Sequence, residues 1–293
     1  MKPRSKEKKI LLAVAISSLS LVLCVMIALG VWMGDAVHFV LPCSADSYGA
    51  AMLLQTPSAQ YTVEMKNTLS DTLAALESGE ANVALLPADI AVGLKSSDYH
   101  IHAVLTYTTL IAVSRETVLS VKALDGRTVT LSAAHQGSKA EKMLKKLLSD
   151  ADVSANIVYT DDLAATAKGD YDVIFADIDT LYSVLQADPQ ASACFSLSTQ
   201  WRAQLTGEPP AGMCMVVRAD YDASAGVSHL MFEKKLRDAV TYADEKRKKT
   251  VAMAYEAGLA ASEAEANALI DYCTLRFLQD NDMDSAIAAW RAL

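Results

Sequence analysis

LAALESGEANVALLPADIA at positions 73–91 and LAATAKGDYDVIFADIDTL at positions 163–181 align without a gap, at a constant offset of 90. Leu73, Ala74, Ala75, Gly79, Val83 and Asp89 recur as Leu163, Ala164, Ala165, Gly169, Val173 and Asp179. Each copy reads as a helix, a glycine turn, an apolar strand and a turn that carries aspartate. A unit of that order belongs to α/β architecture with largely parallel sheets. Two copies predict two lobes of similar build. Ligands of such folds lie outside the carboxyl ends of the strands, so two facing lobes predict a cleft between them.

The pattern continues on both sides of the repeat. Strands are predicted over 38–42, 60–66, 82–86, 101–113, 127–132, 156–160, 171–176 and 213–218. Helices are predicted over 50–54, 69–77, 138–149, 161–168, 179–187, 229–257, 262–271 and 284–292. The late helical block follows Pro209-Pro210 and fits a chain that crosses twice between lobes. Residues 37–110 with 211–293 are therefore expected to form lobe 1, and 111–210 lobe 2.

The N-terminus is a different kind of segment. Residues 1–9 hold five basic residues against Glu7 alone. The next 24 residues, Ile10–Met33, carry no charge. A helix of that length is about 36 Å long, enough for the roughly 30 Å hydrocarbon core. The basic cluster predicts a cytoplasmic tail over 1–9 and a transmembrane anchor or signal-anchor over 10–33, with the rest extracytoplasmic. The rival readings are a cleaved signal peptide and lipid attachment at Cys24. The former wants a shorter apolar run. The latter wants a small residue where Leu23 stands.

Removing that segment's net +4 from the chain's −9 leaves −13 on the remaining 260 residues. An acidic domain argues against nucleic-acid partners. At 52% apolar residues the chain is too hydrophobic for a disordered one. Five cysteines are too few for a disulfide-built scaffold.

Five further stretches carry a family likeness. SGEANVALLPADIAVGL (78–94) and LDGRTVTLSAAHQGSKAEKML (124–144) come first, then Trp201, PAGMCMVVRADY (210–221) and ALIDYCTLRFL (268–278). In order and spacing they resemble substrate-binding proteins of ABC importers in the nitrate/sulfonate/taurine-like group, with the periplasmic-binding-protein type II fold. The likeness spans roughly 37–293. It implies a small-molecule ligand, ABC permease and ATPase partners, a monomer, and no cofactor. It also implies that Cys214 and Cys273 pair as a disulfide. Cys43 and Cys194 fall in different expected lobes and are expected to be free. The sequence departs from the family where ligand loops fall. Asp177-Ile178-Asp179 replaces a Pro-Glu-Pro turn, Asp89 an asparagine, and Ser44–Gly49 a glycine-rich loop.

Candidate ligand-binding residues follow from these positions. Asp46, Asp89, Asp177 and Asp179 all follow strands where the cleft falls, with Ser47 and Tyr48 beside the first. Each aspartate also suits a helix N-cap or Asx turn. Thr106, Tyr107, Thr108 and Thr109 lie at the first crossover. His135, Gln136, Gly137 and Ser138 precede a helix whose Ser138 and Glu141 form a capping box. An acidic cleft without a matching cation favours an amine or aminopyrimidine-like ligand over sulfonate or nitrate. His100 and His102 alternate on a strand with no Cys or Glu at ligand spacing, so no metal is expected. A nucleophile elbow, a His-Glu-x-x-His helix, a P-loop and a cysteine cluster are all missing from the sequence, so no enzyme is expected. The alternative to a transport receptor is a membrane-anchored sensing or adaptor module of the same fold.

Overall fold

The computed structural model describes Ser20 and residues 35–56, 58–224 and 226–293. The expected tail over 1–9 and span over 10–33 lie outside the described residues, Ser20 apart. No helix among the described residues is long and apolar enough to cross a membrane.

Ten strands form two five-stranded sheets. They are β1 (Val37–Pro42), β2 (Tyr61–Lys66), β3 (Val83–Pro87), β4 (Tyr99–Val104), β5 (Ile111–Ser114), β6 (Thr128–Ser132), β7 (Asn156–Thr160), β8 (Val173–Ala176), β9 (Ser192–Ser196) and β10 (Met213–Arg218). The first sheet runs β2-β1-β3-β10-β4 and the second β7-β6-β8-β5-β9. The repeat is visible in this order: β3 and β8 hold the same central place. In each sheet the first three strands are parallel, and the fourth, β10 or β5, runs antiparallel to both its neighbours.

The α-helices of five residues or more are α1 (Leu69–Ser78), α2 (Lys139–Asp150), α3 (Leu163–Ala167), α4 (Ile178–Ala187), α5 (Leu197–Gln204), α6 (Gly226–Glu245), α7 (Arg247–Glu256), α8 (Glu263–Leu269) and α9 (Asp280–Ala292), and a 3-10 helix spans Ala45–Ala50. Gly79 closes α1 at φ +82, a left-handed cap that any side chain would strain. The central strands bury both faces, as sheets covered by helices on each side must, while the edge strands stay partly open. In β1, Phe39 and Leu41 enter one apolar cluster, where Phe39 meets Phe232 of α6 at 5.2 Å between ring centroids. Val40 points the other way, into a cluster with Leu76 of α1. The first cluster continues through Ile111, Ile174 and Leu181, so one core joins both lobes. Helix α9 also spans them: Ile287 packs on the first lobe and Ala289 on the second.

Three expectations change here. The run 101–113 is not one strand. The chain leaves the first sheet at Val104 and enters the second at Ile111. The segment between them pairs with the return crossover: Leu105 N donates to Met213 O at 2.8 Å, Gly212 N to Thr106 O at 2.8 Å, and Thr108 N to Pro210 O at 2.8 Å. The expected helix 229–257 is broken at Lys246, whose φ −116 and ψ 43 are not helical. Cys214 and Cys273 do not pair; both are free and buried. Alternation along β10 sends Cys214 with Val216 to one face of the sheet. Cys273 packs on the opposite face, its Sγ 3.5 Å from Ala45 O. The sheet lies between the two sulfurs. Cys43 and Cys194 are free as well.

Candidate functional site

A cavity of about 550 Å³ opens where the two lobes face each other. Its walls are the turns that leave four parallel strands at their carboxyl ends. Asp46 follows β1; Ala88 and Asp89 follow β3; His135, Gly137 and Ser138 follow β6; Asp177, Ile178 and Asp179 follow β8. The paired crossovers close the back, where Tyr107, Thr108, Thr109, Gly212 and Met213 line it. Gly212 is required there. A Cβ on it would lie 2.5 Å from the carbonyl carbon of Tyr107 and 2.7 Å from Thr106 Oγ1.

Most of the sequence candidates meet in this one space, and four stand outside its lining. Ser47 is buried and donates to Pro42 O at 2.7 Å. Tyr48 is a core residue whose hydroxyl has no partner. Thr106 is buried and accepts from Met213 N at 3.0 Å. Gln136 is exposed beside the rim. Residues not anticipated from the sequence also line the cavity: Lys139 and Lys142 of α2, Tyr272, and Trp290 of α9. Lys139 Nζ sits 4.5 Å from the Trp290 ring centroid, a cation–π contact between α2 and α9. The spacing of Lys139 and Lys142 was the available signal, since i and i+3 in a first turn share a face. The cleft therefore carries both acidic and basic side chains and is not acidic throughout.

The capping box forms with one shift. Ser138 Oγ accepts from Glu141 N at 3.2 Å. The buried Glu141 carboxylate accepts from Gly137 N instead of Ser138 N, because Ser138 N already donates to His135 O at 2.9 Å. Tyr159 donates to the other carboxylate oxygen. Gly137, at φ +78, makes the turn that presents His135 to the cavity.

The carboxylates differ in electrostatic state. Asp177 caps α4, accepting from Thr180 N at 2.8 Å, and faces His135 Nε2 at 3.0 Å. Burial pushes its pKa up, but the His135 and Thr180 hydrogen bonds outweigh this and hold it below the usual range. Asp179 goes the other way: burial and the Asp177 charge raise it, against a hydrogen bond from Ser44 Oγ at 3.0 Å. That bond crosses between the lobes. Asp46 is pushed up to about 7, first by burial and then by the charges of Asp179 and Asp177, with a Thr106 hydrogen bond opposing. At the start of α2, burial and the neighbouring Lys142 lower Lys139. At the crossover, Tyr107 donates to Glu208 Oε2 and accepts from Arg202 Nη2 at 2.7 Å, tying it to α5.

Two similar lobes, a double crossover and a cavity at the strand ends define the two-lobed α/β fold of periplasmic binding proteins. Solved structures of that class are similar over most of the chain. An ABC transporter protein from Parabacteroides distasonis is 16% identical, over 86% of this chain and 89% of that one, with a TM-score of 0.69. The alkanesulfonate-binding protein of Xanthomonas axonopodis pv. citri, bound to MOPS, is 17% identical over 88% and 90%, with a TM-score of 0.54. The periplasmic nitrate-binding protein of Synechocystis is 9% identical over 85% and 74%, with a TM-score of 0.54. At these identities the likeness establishes the fold, the one expected from the resemblance. No protein-family model and no curated protein matches the sequence.

Proposed function

We propose that the chain is an extracytoplasmic solute-binding receptor of an ABC importer, held to the membrane through residues 10–33. It works by binding and lobe closure, without covalent chemistry. The ligand shifts an equilibrium between open and closed lobes by its differential affinity. The closed form then docks on the permease and ATPase subunits. The fold of the similar structures supports this reading, as does a cavity set at the ends of strands from both lobes.

The observation that carries the ligand class is the Asp46–Asp179 pair. Two acidic groups that line the cleft and interact with each other both have raised pKa values. Lys139 and Lys142 line the α2 side. A protonated amine or an aminopyrimidine-like donor satisfies the carboxylates. Acceptor groups at the other end of the molecule meet the lysines. Nitrate or a simple sulfonate leaves the acidic side unmatched, and burying an unpaired carboxylate is costly.

A thermal-shift screen of the purified chain tests this, with calorimetry on any hit. Amines and aminopyrimidines should raise the unfolding midpoint, and Asp46→Asn should abolish the effect. Stabilisation by sulfonates or nitrate alone would overturn the ligand class. Stabilisation by no class would favour the sensing or adaptor module over a transport receptor.

A further inference from the structure

A second cluster of polar side chains lies in the first lobe, and none of its members lines the cleft. It joins β4, helix α6 and the short helix Ala219–Asp222. His102 Nδ1, His229 Nε2 and Glu233 Oε1 converge there. All three separations are the same: 3.2 Å from His102 Nδ1 to His229 Nε2, 3.2 Å from His229 Nε2 to Glu233 Oε1, and 3.2 Å from His102 Nδ1 to Glu233 Oε1. His229 and Glu233 are four apart on α6 and so share a face. His102 comes from the edge strand of the sheet. The fold thus supplies the carboxylate partner that His102 lacks along the sequence.

An equilateral triangle of this size has a simple chemical meaning. Zinc bonds to histidine nitrogen and carboxylate oxygen measure about 2.0–2.2 Å. Tetrahedral ligands at that distance stand about 3.3–3.6 Å apart, so a widening of about one to four tenths of an ångström completes a face. The donor set, two imidazoles and one carboxylate, is one that zinc takes with a fourth position open. The rest of the environment fits the same ion. His102 Nε2 lies 3.4 Å from Asp222 Oδ2, so the ring meets a carboxylate behind the nitrogen that faces the cluster. Carboxylates in that place orient metal-bound histidines and raise their basicity. His100 Nδ1 in turn lies 2.9 Å from the same Asp222 oxygen. The His229 side chain is only 6% exposed, and its Nδ1 has no hydrogen-bond partner. Its polar contacts therefore run through Nε2, into the cluster. Gln279 Nε2 approaches Glu233 Oε1 at 3.4 Å and steadies the carboxylate.

We infer that His102, His229 and Glu233 form a zinc site with water in the fourth position, and that Asp222 positions His102 within it. The ion fastens β4 to α6. That edge strand otherwise has a single ladder partner, β10. The site is independent of the solute cleft.

The test uses the full-length chain after treatment with a chelator. Zn²⁺ is titrated in competition with a chromogenic chelator, and Mg²⁺ is the control. One zinc per chain should bind, Mg²⁺ should not displace it, and zinc should raise the unfolding midpoint. Glu233→Gln and His102→Gln should each weaken binding more than about a hundredfold, and Asp222→Asn by about 10–100-fold. Asp46→Asn, in the cleft, should leave it unchanged. Binding that survives Glu233→Gln and His102→Gln would overturn the assignment, as would the lack of any bound zinc. Should those variants fail to fold, the visible spectrum of the Co²⁺-loaded wild-type chain decides. Intense tetrahedral bands support the site, and the weak bands of six-coordinate Co²⁺ overturn it.

Discussion

Replacing Asp46 by asparagine should stabilise the protein at neutral and alkaline pH and, on the function proposed above, should abolish binding of an amine. Asp46 has its pKa pushed up to about 7 from an ordinary 3.8. Between those values the folded chain holds a proton that the unfolded chain has released. Stability therefore falls as pH rises through this window and levels off above about 7. The full difference corresponds to about 4 kcal/mol, at 1.36 kcal/mol per pH unit. The cleft admits water, which weakens the interaction, so about half of that is expected, roughly 2 kcal/mol. Asparagine avoids the ionisation cost and keeps the volume. Its unfolding midpoint at pH 8 should exceed that of the wild type by about 4–8 °C. The margin should shrink toward pH 4.5. The assay is thermal unfolding of both chains, without ligand, at half-unit steps from pH 4.5 to 8.5. Parallel pH profiles would refute the reasoning, because they would mean that Asp46 titrates alike in both states. In the wild type, amine binding should strengthen as pH rises through about 7, when the carboxylate ionises. Asp46→Asn should bind no amine at either end of the range.

Gly212→Ala forces a methyl group to 2.5 Å from the Tyr107 carbonyl carbon; urea unfolding should show a loss of about 2–3 kcal/mol or more. Phe232→Ala empties a position packed on Phe39 and Tyr61 and should cost about 3–5 kcal/mol by the same measurement. Cys214 and Cys273 should stay unlabelled by a maleimide in the folded chain and both react after denaturation. A reducing agent should not move the unfolding midpoint, and a midpoint lowered by reduction would contradict the free thiols.

How much of this was legible in the sequence depended on what kind of contact fixed each feature. The repeat exposed the central strands because helix, turn and strand are set by neighbours in the chain. The four aspartates were found for the same reason, since each follows a strand. The crossover was hidden inside the run 101–113 because Leu105, Thr106, Tyr107 and Leu110 are as buried as the strands they separate. Strand β9 escaped notice as an edge strand half open to solvent, with Phe195 its one large apolar residue. The pairing of Cys214 with Cys273 failed on a matter of faces, since one position along β10 reverses the side of the sheet. Lys139 was hidden by its place in the capping box. The triangle of His102, His229 and Glu233 joins His102 to two residues more than a hundred positions on, and the four-residue spacing of His229 and Glu233 on one helix was its only local trace.

The strand order has a consequence for how the protein is made. β10 lies between β3 and β4, yet all of the second sheet is synthesised before it. That second sheet uses one unbroken stretch, from β5 to β9, and can close on its own residues. The first sheet cannot. Until residues 213–218 arrive, β3 has an open edge and β4 has no strand to pair with. Insertion of β10 is then a late, long-range event, of the kind that slows folding. Unpaired edges invite association with other chains while they last. Changes in β10 should therefore act most strongly on the lifetime of this half-assembled form, and so on yield, even where the finished fold tolerates them.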